Sequence, residues 1–357
     1  MTDAMEAQDA TVTERVGRWN ELAIWWSERV HAFHTAAAPS EPPPPKRLEE
    51  LVSAANQCAV GAAREFDRMG RRPVSTELEA RACELGIGLE HLGLTIGTVL
   101  HDIDLRELST DEVRFVRHAL LERKVVFFRD QNLTEDEQVT CGRWFGTLDA
   151  FPFGHPGENP YVLEIVHGDQ SPGTENSWHT DVAWMERPSL GSIAQLVAAP
   201  PHGGDTLFSD SYAAYLGLPA PLRERIDGLH AVCDYRHMLQ GRGTAALPRD
   251  MADELAEAFA FGVSHPLVRT HPETGRPTLY LTGVLERPGS LHDPETGEQL
   301  TPGESAAISA ELNEQHARPE YQCRFSWTPG AVAFWDNRAV QHYAVRTTTR
   351  HGACSVG

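Results

Sequence analysis

The tetrapeptide Trp178-His179-Thr180-Asp181 carries an imidazole and a carboxylate two residues apart. In extended backbone, residues i and i+2 project to the same face, so His179 and Asp181 can reach one metal ion. A histidine and a carboxylate are two of the three ligands in the facial arrangement that holds non-haem Fe(II) and leaves positions open for other molecules. The third ligand must come from elsewhere in the chain. The segment Trp335-Asp336-Asn337-Arg338-Ala339-Val340-Gln341-His342-Tyr343 offers His342, 163 residues beyond His179. An H-x-D tripeptide identifies nothing by itself, because 17 histidines make chance matches common. His31, His34, His118 and His316 fit ordinary surface or core positions, while His155 and His265 sit in loop-like contexts open to either reading. Two histidines and an aspartate would also serve Zn²⁺ in a hydrolase.

Groups so distant in sequence need a strand-rich scaffold to bring them together. VVFFRD, from Val125 to Asp130, reads as a buried strand, preceded by a helix whose start lies at Ser109-Thr110-Asp111-Glu112. YVLEIVH, SIAQLVA, DTLFSD, LYLTG and AVAFWD read as further strands between Gly-, Pro- and Asn-rich turns. Helical patterns intervene near 211–229, 250–261 and 302–316. Many short strands with few helices predict a mainly β fold, a double-sheet architecture with flanking helices. The regular β–α alternation and Gly-rich first turn of a nucleotide-binding fold are absent.

Ahead of this region the texture is helical. Val16, Trp19, Leu22, Ala23, Trp26, Val30 and Phe33 recur at helical spacing, and Pro39 with Pro42 to Pro45 ends that pattern. A second helical segment is expected from about 46 to 69, and Trp25 and Trp26 read as packing residues. The expected organisation is a helical N-terminal extension over 1–84, with a Pro-rich linker at 39–45, followed by one domain over 85–357.

Composition narrows the class. Hydrophobic residues make up 41% and charged residues 23% of 357, enough to build a sizeable core. The net charge of −20 disfavours nucleic acid and anionic membranes, which attract clustered positive charge. No stretch approaches the roughly 18–20 apolar residues of a membrane span, and the acidic N-terminus lacks a signal-peptide layout. Cys58, Cys83, Cys141, Cys233, Cys323 and Cys354 lie far apart and read as reduced, partly buried residues of a cytoplasmic protein.

The order of motifs adds a resemblance. VVFFRDQNLT (125–134), WFGTLDAFP (144–152), NSWHTDVAW (176–184), PPHGGDTLFSD (200–210), HPLVRTHPETGRPTLYL (265–281) and WTPGAVAFWDNRAVQHYA (327–344) follow one another. Together they closely resemble the taurine dioxygenase (TauD/TfdA) family of Fe(II)- and 2-oxoglutarate-dependent oxygenases, from about Leu85 to Ala344. The resemblance implies a double-stranded β-helix, or jelly roll. It implies Fe(II), the co-substrate 2-oxoglutarate and O₂, and a dioxygenase that hydroxylates an unactivated C–H of a small organic substrate with release of succinate and CO₂. Position by position, it implies metal ligation by His179, Asp181 and His342. It also implies that Thr206, 27 residues after His179 in GGDTLF, binds a carboxylate of 2-oxoglutarate, for which a hydroxyl is a fitting donor. Related halogenases lack the carboxylate ligand, so Asp181 points to hydroxylation.

The chain departs from the family at its end. The family places an arginine ten to thirteen residues beyond the distal histidine, to clamp the remote carboxylate of 2-oxoglutarate. Here Arg346 and Arg350 lie four and eight residues beyond His342; Arg350 is the better candidate, and no closing strand is expected. The last thirteen residues, back-translated with GC-rich codons and read in another frame, give a sequence close to the family's usual ending. A truncated or frameshifted, catalytically impaired binding protein is therefore the alternative expectation, and the zinc hydrolase a lesser one. Taurine is disfavoured as substrate, since no second arginine matches the family's sulfonate grip and Phe151 and Gly154 stand where taurine-type enzymes carry histidine and tyrosine. Phe151, Phe153, His155 and Asn176 are candidate substrate residues by position. The expected partners are a small-molecule substrate and, in a homo-oligomer, further copies of the chain.

Overall fold

The computed structural model describes residues 73–150, 159, 161–167, 176–200, 202–234, 249, 253–254, 257, 262–280, 289–345 and 352–356. The helical N-terminal extension and its linker, and nearly all of the helix expected over 250–261, lie outside the described residues. The chain divides into two compact units, 1–64 with 216–224, and 65–215 with 225–357. Apart from residues 216–224, the described residues belong to the second.

Its plan can be read from β3 (Val125–Phe128), in which all four residues are buried. Successive strand residues face opposite ways. Val126 and Phe128 therefore join a core with Phe115, Val116, Ala119 and Leu120 of α2 (Thr110–Arg123). Val125 and Phe127 join a second core with Phe208, Phe325 and Val340. A strand buried on both faces must lie inside a layered structure.

The large sheet contains β1 (Gly88–His91), β2 (Thr98–His101), β3, β4 (Leu163–His167), β5 (Gly191–Ala198), β12 (Val332–Asp336) and β14 (Gly352–Val356). Their order is β1-β2-β3-β12-β5-β14-β4, antiparallel except for β2 beside β3. The helical layer, with α1 (Thr76–Leu85) and α2, covers one face. On the other lies a three-stranded antiparallel sheet in the order β11 (Gln322–Phe325), β6 (Thr206–Asp210), β13 (Val340–Ala344). Phe127 stacks on Phe325 with centroids 4.1 Å apart and meets Phe208 edge-on at 5.5 Å. Burying three such rings is worth about 1.5–3 kcal/mol each, which makes this aromatic cluster the main bond between the sheets. Two further two-stranded antiparallel sheets pair β7 (His230–Cys233) with β8 (Val263–Pro266) and β9 (Val268–Thr270) with β10 (Pro277–Leu279).

Local chemistry sets the ends of these elements. Ser109 and Glu112 form a reciprocal capping box at the start of α2, as do Thr134 and Glu137 before α3 (Glu135–Arg143). Helix α2 stops at Lys124, which turns into left-handed backbone at φ 63° and buries its side chain. The Lys124 ammonium donates to Thr95 O at 2.8 Å and pairs with Asp210 Oδ2 at 3.0 Å, tying β3 to the end of β6.

Two expectations require correction. The single helical stretch near 211–229 is two helices, α4 (Ser211–Leu216) and α5 (Ala220–Ile226). Gly217 and Pro219 lie in the break, and a proline there has no N–H to continue the hydrogen-bond ladder. A closing strand is also present: β14 pairs antiparallel with both β4 and β5. Ladder pairing uses main-chain groups that every residue but proline carries, so departure from a family's side-chain pattern does not forbid a strand. Cys141, Cys233 and Cys323 are buried and Cys83 exposed, all four outside any disulfide. Among the described residues no helix is long and apolar enough to cross a membrane.

Candidate metal centre

His342 lies on β13 opposite Phe208 of β6, and beside Trp335 of β12 with ring centroids 5.1 Å apart. This aromatic bed holds the imidazole at the edge of the interior between the sheets. His179 reaches it through main-chain pairing. His179 N donates to His342 O at 3.1 Å and His342 N to His179 O at 2.8 Å. Residues that exchange both bonds stand directly opposite, and here the two rings lie 4.1 Å apart. The expected strand across His179 and Asp181 is reduced to this single bridge, and Asp181 opens a turn. The pairing stops because Val182 adopts φ 48°, a conformation that a β-branched residue enters only under constraint.

Asp181 completes the cluster. Its Oδ1 is 3.5 Å from His342 Nε2 and 3.9 Å from His179 Nε2. These separations exceed a hydrogen bond, so the three atoms converge without consuming one another. One ligand atom from each residue lies within 4.8 Å of the others, and this is the one such group of histidine, cysteine and acidic side chains found among the described residues. The donor chemistry fits a divalent ion. His179 Nδ1 donates to Ser177 O at 2.8 Å, which fixes the tautomer and leaves the Nε2 lone pair facing Asp181. Burial, reinforced by His179 and opposed by Asp181, pushes the His342 pKa down to about 3, so at neutral pH this ring also offers a lone pair.

Thr206 opens β6 and pairs with Ala344, so it shares a sheet face with His342 two residues along. Trp327 Nε1 donates to its Oγ1 at 2.9 Å. The oxygen accepts from the indole, and the hydroxyl hydrogen stays available to a ligand. Asn176 is partly exposed, three residues ahead of His179. Phe151, Phe153, His155 and Arg350 lie outside the described residues.

Other histidines resolve into structural roles. His118 pairs with Glu122 on the surface of α2 at 2.9 Å. His316 is wholly buried, bonds Ser209 Oγ at 3.0 Å, and is pushed by burial to a pKa of about 3. His265 donates through Nε2 to Met185 O at 2.9 Å, bracing the segment after Asp181.

The sequence reading missed the polar groups behind the triad. Asp336, at 1% exposure, accepts two bonds from the Arg338 guanidinium, at 2.8 Å on Oδ1 and 2.7 Å on Oδ2, and a third from Arg338 N at 2.9 Å. His271 Nδ1 accepts from Glu273 N and Thr274 N, so its Nε2 carries the hydrogen and donates to Asp336 Oδ2 at 3.0 Å. Arg338 continues to Glu273 at 2.8 Å, and Glu273 to Arg117 at 2.9 Å. Ser192 and Asn337 form a second set, reaching Asp181.

Comparison with known proteins agrees with this arrangement. The sequence profile of the family described as taurine catabolism dioxygenase TauD, TfdA matches residues 89–353. An alpha-ketoglutarate-dependent sulfate ester dioxygenase of Pseudomonas putida is 34% identical over 283 residues, covering 76% of this chain and 86% of that protein. An alpha-ketoglutarate-dependent 2,4-dichlorophenoxyacetate dioxygenase of Cupriavidus pinatubonensis is 30% identical, covering 68% of this chain and 86% of that protein. The crystal structure of a taurine dioxygenase from Burkholderia xenovorans superposes with a TM-score of 0.60 at 35% identity, over 76% of this chain and 89% of that one. Two packed sheets, a convergent His-Asp-His cluster and a match from residue 89 to residue 353 place this chain in the TauD, TfdA dioxygenase family.

Proposed function

We propose that His179, Asp181 and His342 hold Fe(II), and that the chain uses 2-oxoglutarate and O₂ to hydroxylate an unactivated C–H of a small organic substrate. The observation that carries this reading is the reciprocal backbone pair between His179 and His342, with Asp181 Oδ1 facing both Nε2 atoms. When bound, the iron with 2-oxoglutarate and O₂ supplies the oxidising power for the insertion, and 2-oxoglutarate leaves as succinate and CO₂. The protein's own residues do the positioning. Ser177 O orients the His179 ring, Phe208 and Trp335 wall His342 from water, and Thr206 donates its hydroxyl to a carboxylate of 2-oxoglutarate. Arg350 is proposed as the partner of the remote carboxylate, and Phe151, Phe153, His155 and Asn176 as substrate neighbours.

The two packed, mostly antiparallel sheets support a double-stranded β-helix, with residues 1–84 an appended extension and 85–357 the oxygenase domain. A cytoplasmic setting, as a monomer or homo-oligomer, fits the acidic composition. The family match favours this enzyme over a zinc hydrolase or an impaired binding protein.

Anaerobic addition of Fe(II) and then 2-oxoglutarate tests the proposal. The expected result is a weak visible charge-transfer band saturating at one equivalent; a colourless solution at millimolar 2-oxoglutarate overturns it. Succinate release across alkyl sulfate esters, sulfonates and aryloxyacetates then identifies the substrate class. Thr206→Val, which keeps the shape and removes the hydroxyl, is expected to raise the KM for 2-oxoglutarate about 10-fold or more. A hydrogen bond to a charged group is worth about 1.5–3 kcal/mol. An unchanged KM removes Thr206 from the site.

A further inference from the structure

The two oxygens of Asp181 have different neighbours. Oδ1 faces the imidazoles, while Oδ2 accepts a hydrogen bond from Ser192 Oγ at 2.9 Å. Ser192 in turn accepts from Asn337 Nδ2 at 3.2 Å. Asn337 is 1% exposed and commits every polar group it has. Its N donates to Leu190 O at 3.0 Å, its O accepts from Thr180 Oγ1 at 2.8 Å, and its Oδ1 accepts from Trp335 Nε1 at 2.9 Å. An indole N–H can only donate, so the amide oxygen must face Trp335 and the amide nitrogen must face Ser192. Donors therefore run one way, from Asn337 through Ser192 into the Asp181 carboxyl group. The register makes this reach possible: Ser192 stands opposite Trp335, and a Cβ on neighbouring Gly191 would strike the Trp335 carbonyl.

We propose that Ser192 and Asn337 are positioning residues that hold the Asp181 carboxylate so that Oδ1 alone is presented to the ion. The proposal rests on the reading of His179, Asp181 and His342 as metal ligands. A carboxylate free to rotate about its last bond can offer either oxygen or both, and each orientation leaves a different number of metal positions for other molecules. A hydroxyl fixed on Oδ2 selects one. Asn337 clamps both neighbours of this bond, the Thr180 side chain beside Asp181 and the Leu190 carbonyl before Ser192, so the orientation is set by β5 and by the turn that follows β12. Neither residue touches a reacting atom, and their effect is exerted through Asp181.

The test is calorimetric titration of Mn(II) into the chelator-treated full chain, without 2-oxoglutarate, so that binding is read apart from turnover. Wild-type protein is expected to bind one equivalent. Ser192→Ala should weaken Mn(II) binding about 10–100-fold at unchanged stoichiometry, the usual effect of removing a group that orients a ligand. Ser192→Thr, which restores a hydroxyl on a strand position, should return affinity to within about threefold of wild type on the same scale. Asn337→Asp keeps the shape and the acceptor for Trp335 but removes the donor to Ser192; it should weaken binding in the wild-type background and add little to Ser192→Ala. Should Ser192→Ala fail to fold, Ser192→Cys, a poorer donor of similar size, takes its place with the same expected direction. Wild-type affinity in Ser192→Ala or Ser192→Cys overturns the proposal, as does Ser192→Thr binding no better than either. Wild-type protein that takes up no Mn(II) sinks the ligand reading itself, an outcome distinct from the others.

Discussion

Asp181→Ala is expected to abolish turnover, lowering succinate release by about a thousandfold or more, equivalent to at least ~4 kcal/mol of barrier. The metal content of protein purified and reloaded with Fe(II) should fall in parallel, and the charge-transfer band should be absent. The Asp181 side chain is 27% exposed and its Oδ2 is bonded to Ser192, so little apolar burial is lost with it. Melting should therefore stay within a few degrees of wild type, since about 1 kcal/mol moves Tm by only ~2–4 °C in a domain of this size. That separation between chemistry and folding is the informative outcome. Retention of full Fe(II) loading and turnover by Asp181→Ala would remove the carboxylate from the metal site.

The largest effect on stability is expected at Asp336. Removing it as Asp336→Ala leaves the His271 Nε2–H without its acceptor and the Arg338 guanidinium with Glu273 alone, where both residues are less than a tenth exposed. Breaking a buried charged pair from one side costs about 3–5 kcal/mol, so Tm should fall by roughly 10 °C. Burial by itself would raise the Asp336 pKa, but the bonds from Arg338 and His271 outweigh it and hold the carboxyl below its usual range. For a depressed folded-state pKa, the stabilisation is complete above the unfolded value of about 3.9 and is lost as pH falls through the lower folded value. The difference in Tm between wild type and Asp336→Ala should thus be constant from neutral pH down to about 4 and shrink only in stronger acid. Equal melting of the two proteins at pH 7 would show that Arg338 and His271 find other partners.

The parts that were legible in the sequence are those written in neighbouring residues. His179 and Asp181 declare themselves by a two-residue spacing, and VVFFRD reads as a buried strand because four apolar residues in a row leave no face for water. The helix expected over 302–316 forms as α6 (Pro302–His316), since Thr301 and Glu304 cap it and Pro302 suits the first helical position. Ser192 and Asn337 were illegible for the opposite reason. Their partners are 11 and 145 residues away along the chain, and only the register of β5 on β12 brings them together. His271 and Asp336, 65 residues apart and joined in the interior, escaped notice on the same ground. The β14 strand is illegible because its pairing is made by main-chain groups, which no side-chain pattern announces.

The mutual backbone bonds of His179 and His342 bear on which ion the protein carries. The gap between the imidazoles is set by peptide groups and an aromatic bed. Nitrogen and oxygen ligands of this kind favour cobalt, nickel, copper and zinc over ferrous iron. Donor identity alone therefore does not reject them, which leaves the choice to coordination geometry and to supply: what the cell keeps free in solution bears on whether the cradle holds iron.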